Sequence, residues 1–274
     1  MEQISFFKMS GSGNDFIIID HRNQFIDERI LARLITGVCR RKLSVGADGF
    51  ILIENSDRHD FKWRFYNSDG SRAEMCGNGA RCAARFARLN GIAGSEVTFE
   101  TDAGVISAQI KGERVKVNMP DPTDLRLDLT IELEAGSMLV SSVNTGVPHV
   151  IVLRDQVDNL EVVNIGREIR YHRDFAPAGT NVNFICQNDR NAIAIRTYER
   201  GVEDETLACG TGSIASALVA ARKLNMTSPV SLKTRSGEYL TIYFVETNGR
   251  FHHIYMEGDA RVIYAGKLWE EAWR

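Results

Sequence analysis

The sequence predicts an α+β fold made of two similar halves, each a curled, mostly antiparallel sheet around one central helix. Three observations predict it. The loop Cys76-Gly77-Asn78-Gly79 recurs as Cys209-Gly210-Thr211-Gly212, 133 positions further along the chain. Short apolar runs separated by turn residues, which are typical of strands, dominate both halves. The uncharged run Ser213–Ala221 predicts a helix that is buried on all sides inside a sheet.

The same series of elements is predicted in each half. A glycine loop leads into an apolar strand, a weak helical stretch, and a second glycine loop before another strand. A third strand is followed by the cysteine loop and then by a helix, and further strands complete the half. The first half has predicted helices over Glu28–Cys39 and Ala80–Leu89. The second has one from about Val157 to His172 besides the uncharged helix. Helical spacing predicts a stripe on the Ala80 helix that faces solvent or a partner, formed by Arg81, Arg85 and Arg88.

Two prolines, Pro120 and Pro122, interrupt a strand and mark a boundary between the halves. The predicted domains are therefore residues 1–122 and residues 123–264. The tail, residues 265–274, has no counterpart in the repeat and is predicted to return to the first domain. A chain of 274 residues suits two domains of ordinary size.

Composition excludes several classes of function. With 43% hydrophobic and 25% charged residues the chain is typical of a globular protein. A net charge of −3 gives no sign of a nucleic-acid partner. No apolar run approaches the ~20 residues that cross a bilayer, and the first residues lack a signal-peptide pattern. We therefore expect a cytoplasmic protein without a membrane partner.

Cysteine usage argues against both disulfides and metal. The chain has five cysteines, an odd number that does not suit a secreted disulfide framework. It contains no Cys-x-x-Cys pair and no histidine pair at metal-ligand spacing near a cysteine, so neither a zinc site nor another metal site is expected.

Cys76 and Cys209 are the candidate catalytic residues, because each precedes a predicted helix in a glycine-bearing turn. The first N–H groups of a helix lack internal partners and carry a partial positive charge. A carboxylate can bind there, and a thiol there loses its proton more easily. Two such thiols facing one another suit a reaction that removes a proton from one side of a carbon and returns one to the other.

Other interpretations of the two cysteines stay open at this point. Both could be relics of duplication packed at a helix start, or a redox-sensing pair. Two nucleotide-binding motifs are excluded. Gly11-Ser12-Gly13 leads into a strand rather than a helix, and neither cysteine loop is followed by the Lys-Ser/Thr of a phosphate loop.

Several longer motifs together resemble the diaminopimelate epimerase family, over nearly the whole chain. They are Lys8-Met9-x-Gly11-x-Gly13-Asn14-Asp15-Phe16, Asn67-Ser68-Asp69-Gly70-Ser71, Met75-Cys76-Gly77-Asn78-Gly79-Ala80-Arg81-Cys82, and Tyr198-Glu199-Arg200-Gly201 followed by Glu205-Thr206-Leu207-Ala208-Cys209-Gly210-Thr211-Gly212. The resemblance implies stereoinversion of LL-2,6-diaminopimelate to the meso form in lysine and peptidoglycan-precursor synthesis, without pyridoxal phosphate or another cofactor. It also suggests a homodimer.

The resemblance implies roles for individual residues. Cys76 and Cys209 would be the acid and base thiols, and His149 and Glu199 would influence their pKa. Backbone groups of Gly77-Asn78 and Gly210-Thr211 would take the α-carboxylate. The resemblance places on the substrate's other polar groups Asn14, Asn67, Asn181, Glu199 and Arg200. Arg200 suits the distal carboxylate by bidentate pairing.

The chain departs from the common family pattern at three places. The segment Gly201–Thr206 is one residue longer, Val147 stands where many members have Asn, and Gly49 stands where some have Gln. These changes affect details of recognition only. The alternative functions are a proline-racemase-like enzyme, a phenazine-pathway-like isomerase, and a ligand-binding or thiol-redox module.

Overall fold

The computed structural model describes residues 3–274. Within them the chain forms four α-helices and seventeen strands, with 3₁₀ turns at Arg173–Phe175 and Glu270–Trp273. The helices are α1 (Glu28–Cys39), α2 (Gly77–Leu89), α3 (Val162–Arg170) and α4 (Gly210–Lys223). The strands, in chain order, are β1 (Ile4–Gly11), β2 (Asn14–Asp20), β3 (Gly49–Glu54), β4 (Phe61–Asn67), β5 (Glu96–Thr101), β6 (Gly104–Lys111), β7 (Arg114–Met119), β8 (Thr123–Leu133), β9 (Gly136–Asn144), β10 (Pro148–Leu153), β11 (Asn181–Asp189), β12 (Ala192–Glu199), β13 (Asp204–Thr206), β14 (Val230–Lys233), β15 (Tyr239–Thr247), β16 (Arg250–Asp259) and β17 (Arg261–Leu268).

The chain divides into two compact units. Unit 1 contains the residues up to Val117 together with Gly258–Arg274, and unit 2 contains Asn118–Glu257. Strands β7 and β16 each contain one of the two places where the chain passes from one unit to the other.

In unit 1 the strands pair in the order β17-β1-β2-β3-β4-β5-β6-β7. The β2–β3 and β4–β5 pairs are parallel and the others antiparallel. The C-terminal strand β17 pairs with β1 along most of its length. The 3₁₀ turn that follows packs on α1, because a side chain at Gly37 would meet the backbone of Trp273 at 2.5 Å.

Unit 2 repeats this order as β8-β9-β10-β11-β12-β14-β15-β16, and the short strand β13 also pairs with β12. The β10–β11 and β12–β14 pairs are parallel, at the places that match the parallel pairs of unit 1. The repeat seen in the sequence is therefore a repeat of sheet topology.

In each unit the central helix packs on one face of the sheet and a second helix packs on the other. Helix α2 lies against β1, β2, β3 and β6, and α4 lies against β9, β10, β11 and β15. Residues Ser213–Ala220 of α4 are all buried, as expected for a stretch of helix without charged residues. Helices α1 and α3 pack on the opposite faces and build separate apolar cores with the alternate residues of the same strands.

The α+β fold class is confirmed, and two expectations about its helices need correction. Helix α3 begins five residues later than the sequence suggests. The Arg196 guanidinium accounts for the delay, because it donates to the carbonyl oxygens of Val157, Asp158 and Leu160 and holds them out of a helix. On α2, Arg81 does not face solvent: it is fully buried and donates to Ser12 Oγ at 3.0 Å.

Candidate active site

Both cysteines of the repeated loop occupy the N-cap of the central helix in their unit. Cys76 has φ −148° and ψ 115°, and Cys209 has φ −119° and ψ 115°. At an N-cap the backbone is still extended and the first N–H groups of the helix lack internal partners. Each sulfur therefore lies beside the positive end of a helix, where a thiolate and a bound carboxylate are both stabilised.

The contacts of the Cys76 sulfur in unit 1 include a donor and an acceptor. The Gly79 N–H donates to Sγ at 3.4 Å, and the thiol donates to Asn14 Oδ1 at 3.6 Å. The Asn14 amide cannot turn over, because its Nδ2 donates to Asp48 Oδ2 at 2.8 Å and a carboxylate only accepts. Asn14 therefore presents its carbonyl oxygen to the thiol.

An ionic cluster supports Asp48. Arg41 Nη2 lies 2.7 Å from Asp48 Oδ1 and 2.6 Å from Asp15 Oδ1, and Lys8 Nζ lies 2.7 Å from Asp15 Oδ2. Burial acts to raise the pKa of Asp15, but hydrogen bonds from Lys8 and Arg41 outweigh it and hold that pKa below its ordinary value. The Asp15 carboxylate thus stays ionised near neutral pH.

The Cys209 sulfur in unit 2 has a different neighbour. Its Sγ lies 3.5 Å from Thr211 Oγ1, and the same hydroxyl lies 2.9 Å from His149 Nε2. Behind His149, the Nδ2 of Asn183 lies 3.1 Å from the imidazole Nδ1. Complete burial, aided by the charge of Arg200, lowers the pKa of His149 to about 3, so this imidazole is neutral at physiological pH.

The remaining site residues predicted in unit 1 lie near the start of α2 or at the end of a strand. Gly77 and Asn78 are buried in the first turn of the helix. The Asn78 Oδ1 atom is buried and accepts no hydrogen bond from the described residues. Asn67 ends β4, and its Nδ2 donates to Ser71 Oγ at 3.0 Å.

The residues predicted in unit 2 meet where β11 begins and β12 ends. Asn181 is buried, and its Oδ1 accepts from the Arg200 backbone N–H at 2.8 Å. Arg200 also donates through Nη1 to the Ala178 carbonyl at 3.2 Å. Glu199 accepts from Thr206 Oγ1 at 2.9 Å. The first turn of α4 supplies Gly210 and Thr211. The geometry thus brings together Asn181, Glu199 and Arg200, which can bind a group that carries both a carboxylate and an ammonium.

The described residues, 3–274, were also searched for a metal site and for a membrane-spanning helix. They hold no group of three His, Cys, Asp or Glu side chains that could bind a metal ion. Among their helices, none has the length and apolar character needed to span a membrane.

Comparison with known proteins identifies the family. The model of the family described as diaminopimelate epimerase matches residues 6–125 and 141–263. The chain belongs to the diaminopimelate epimerase family. The diaminopimelate epimerase of Aquifex aeolicus (strain VF5) is 46% identical, over 98% of this chain and 99% of that protein. The diaminopimelate epimerase of Chlorobaculum tepidum is 42% identical, over 95% of this chain and 99% of that protein. The resemblance predicted from the sequence motifs is confirmed.

Solved structures share the fold of this diaminopimelate epimerase family member. A phenazine biosynthesis protein of the PhzF family from Bacillus anthracis superposes with a TM-score of 0.76 at 18% identity, over 98% of this chain and 100% of that one. A probable proline racemase from Agrobacterium radiobacter K84 gives a TM-score of 0.70 at 17% identity, over 97% and 93% of the two chains. At such identities the likeness concerns the fold alone.

Sequence reasoning missed three side chains that contact the site of this diaminopimelate epimerase family member. Asp48 orients Asn14, the Thr211 hydroxyl contacts Cys209, and Asn183 contacts His149. Asp48 and Asn183 stand in the second glycine loop and the strand after it. A polar residue inside or directly beside an apolar strand is unusual, and this feature of the sequence could have indicated both residues.

Proposed function

We propose that this chain inverts one α-carbon of LL-2,6-diaminopimelate to give the meso isomer, by a two-base reaction that needs neither metal nor coenzyme. Family membership over nearly the whole chain supports the substrate and the isomerase activity. The observation that carries the mechanism is the placement of Cys76 and Cys209 at matching helix N-caps, one in each unit.

The proposed reaction conserves atoms and charge. One cysteine, as a thiolate, takes the α-proton, and the electrons of the broken C–H bond move toward the α-carboxylate. The other cysteine, as a thiol, then gives its proton to the opposite side of the same carbon. The enzyme ends with the two protonation states exchanged, and the reverse reaction uses the same groups in the opposite roles.

The first turns of α2 and α4 are proposed to hold the α-carboxylate. Backbone N–H groups of Gly77-Asn78 and Gly210-Thr211 lie at these helix starts. Donors fixed at this position stabilise the charge that develops when the neighbouring carbon loses its proton. Without them, proton removal beside a carboxylate is strongly disfavoured.

The distal amino-acid end of the substrate is proposed to be held by side chains. Arg200 pairs with the distal carboxylate, and Glu199 binds the ammonium group. Three amides complete the recognition of polar groups, namely Asn14, Asn67 and Asn181. His149 and Glu199 are proposed to modulate the two thiols, and the short His149 contact to Thr211 supports that role.

We further propose that the chain works as a homodimer in the cytoplasm and supplies lysine and peptidoglycan synthesis. The family resemblance supports the dimer, and the odd number of cysteines supports a reducing compartment. Sedimentation equilibrium of the purified chain tests the dimer directly.

Deuterium uptake tests the proposed reaction. The enzyme is incubated with LL-diaminopimelate in heavy water, and the product is analysed by mass spectrometry and chiral separation. We expect one deuterium at the inverted α-carbon and none when L-proline replaces the substrate. Deuterium in proline would instead favour a proline-racemase-like enzyme, and absence of exchange from both compounds would refute the proposed chemistry.

A further inference from the structure

The start of α4 rests on buried polar side chains, whereas the start of α2 rests on apolar ones. In unit 2, strand pairing sets His149 beside Asn181 and Asn183 beside Thr197. All four side chains are buried. A side chain added at Gly212 in α4 would lie 2.3 Å from Asn183 Oδ1, which places this amide directly beneath the helix start.

The same positions in unit 1 can be identified from the strand register. Phe16 is paired with Gly49 on β3, and Ile51 is paired with Phe65 on β4. A side chain added at Gly79 in α2 would lie 3.4 Å from both Phe16 and Ile51. Phe16, Ile51 and Phe65 therefore stand in unit 1 where His149, Asn183 and Thr197 stand in unit 2.

The fold therefore does not require polar side chains at these three positions. The repeated fold is built in unit 1 with three apolar side chains at these positions. Burial of polar groups carries a cost unless each one is hydrogen-bonded, so packing alone does not account for an imidazole, an amide and a hydroxyl here. We therefore looked for a role of these three polar side chains in the environment of Cys209.

Two contacts fix the orientation of the Asn183 amide. Its Oδ1 accepts from Thr197 Oγ1 at 3.0 Å, and its Nδ2 donates to the Val150 carbonyl oxygen at 3.2 Å. A carbonyl oxygen only accepts, so an amide turned the other way would set two oxygens against one another. The Nδ2 group is thereby also directed at His149 Nδ1, 3.1 Å away.

The orientation of Asn183 determines the tautomer of His149. Because Nδ1 receives a hydrogen bond, the proton of the neutral ring is on Nε2. That Nε2–H donates to Thr211 Oγ1 at 2.9 Å. The Thr211 hydroxyl proton is then directed away from His149, and the Cys209 sulfur lies 3.5 Å from the hydroxyl oxygen.

We propose that Asn183 is a positioning residue that holds His149 in the Nε2–H form and so makes the Thr211 hydroxyl a hydrogen-bond donor to the Cys209 sulfur. A donor stabilises the thiolate form of a sulfur more than the thiol form. Asn183 thus acts on Cys209 through two intervening side chains, without contact to the substrate. The inference rests on the proposed function only in assigning catalysis to Cys209.

The first experiment reads the tautomer directly. The protein is labelled with ¹⁵N-histidine, and the His149 ring is assigned by comparison with His149→Gln. We expect the Nε2–H form in the wild-type enzyme and the Nδ1–H form in Asn183→Asp, since a carboxylate accepts where the amide donates. A wild-type ring protonated on Nδ1, or a ring whose tautomer is unaffected by Asn183→Asp, would overturn the proposal.

The second experiment uses Cys76 as an internal reference for the reactivity of Cys209. Both thiols are alkylated with iodoacetamide in the substrate-free enzyme, and their rates are compared by peptide mass spectrometry. We expect Asn183→Asp to lower the Cys209 to Cys76 rate ratio by about tenfold, the effect of one hydrogen bond to a charged group. Ile151→Val, a packing change on β10, serves as the control and should leave the ratio unchanged.

A double-mutant cycle distinguishes positioning from general structural damage. Thr211→Val removes the hydroxyl and should lower the ratio as much as Asn183→Asp does. In the double variant the second change should add nothing, because the chain of contacts is already broken. Additive losses would refute the proposed route through Thr211. If Asn183→Asp does not fold, Thr197→Val supplies the test, with a smaller loss in the same ratio expected.

The outcomes are independent of the substrate assignment. Both the ring tautomer and the alkylation ratio are measured without diaminopimelate, so they can fail while the deuterium experiment succeeds. Conversely, failure of deuterium uptake leaves the tautomer result standing. In the active enzyme we expect kcat to fall in Asn183→Asp with little change in KM, because Asn183 does not contact substrate.

Discussion

The two candidate catalytic thiols occupy the same place in a repeated fold and differ in what faces the sulfur. Cys76 donates to the Asn14 carbonyl oxygen, whereas Cys209 lies against the hydroxyl of Thr211. An acceptor favours the protonated thiol and a donor favours the thiolate. The duplication has thus kept the helix start in each unit, while the side chains beside the two sulfurs have diverged: an amide oxygen meets Cys76, which also accepts from the Gly79 N–H, and a hydroxyl meets Cys209.

The residues behind each sulfur differ in charge as well. Asn14 is held by Asp48 and an ionic cluster whose Arg41 side chain is 58% exposed. Thr211 is held by neutral groups, His149 and Asn183, that are completely buried. Charged groups near solvent keep much of their hydration. In the interior, hydrogen-bonded neutral groups avoid the large desolvation penalty of a charge. A two-base reaction needs one thiol and one thiolate in every state, and this asymmetry suits that need.

Removal of either sulfur should have the largest effect. Cys76→Ala and Cys209→Ala should each lower the rate of epimerization by at least about 10²-fold, because each removes an acid or base. The losses should be similar despite the different surroundings. Cys39→Ala is the matched control, since burial raises the pKa of the Cys39 thiol to about 12 and keeps it inert.

Full activity in either catalytic variant would remove that cysteine from the mechanism. A large loss in only one of them would break the symmetry between the units and indicate a one-base reaction. Chiral chromatography of the product measures both rates.

As the pH falls, the contribution of His149 in unit 2 to the free energy of unfolding should be lost before that of Asp15 in unit 1. The folded-state pKa of His149, about 3, lies below its ordinary value of 6.5. Between these values the unfolded chain binds one proton more, so the free energy of unfolding falls as pH falls, by about 1.4 kcal/mol per pH unit. The folded-state pKa of Asp15 is also depressed, so its contribution is complete above its ordinary value of 3.8 and is lost only below it.

Urea unfolding of His149→Gln tests this difference. The gap in stability between wild type and variant should narrow by about 1.4 kcal/mol per unit from about pH 6 to about pH 5. For Asp15→Asn the gap should stay constant over the same range, because this carboxyl is ionised in both states. A gap for His149→Gln that does not change with pH would show that the imidazole binds protons equally in the folded and unfolded states, and so has no lowered pKa.

The smallest effect is expected for Asp48→Asn. A second amide can present either oxygen or nitrogen to Asn14, so the Asn14 amide is no longer locked and its Nδ2 can turn toward Cys76. Alkylation of Cys76 should rise about threefold while that of Cys209 stays the same, since one weak donor replaces an acceptor. Asp20→Asn, whose carboxylate pairs with Arg22 at 2.7 Å, is the control.

Asp48→Asn should thus make Cys76 more reactive, whereas Asn183→Asp should make Cys209 less reactive. A fall in Cys76 reactivity would mean that the Asn14 orientation does not govern the thiol, and the contrast between the two sulfurs would then need another cause.

Local features of the fold could be predicted because they depend on neighbours in sequence. Helix α1 has the predicted bounds, and α2 and α4 contain the predicted helices. The predicted burial is confirmed for residues Ser213–Ala220 of α4, because a run of helix without charged residues has no face that prefers water. The prediction for Arg81 was wrong, since helical spacing shows which residues share a stripe and not what covers it.

By itself the sequence determined the repeat, the fold class, the family and the two cysteines, because these depend on residue type and spacing along the chain. Only the tertiary structure decided which atoms face each sulfur. Asn14 meets Asp48 in the loop before β3, and His149 on β10 meets Asn183 on β11, more than thirty positions apart in each case. Hydrogen-bond direction is set by such contacts in space, and residue spacing in a single chain carries no information about it.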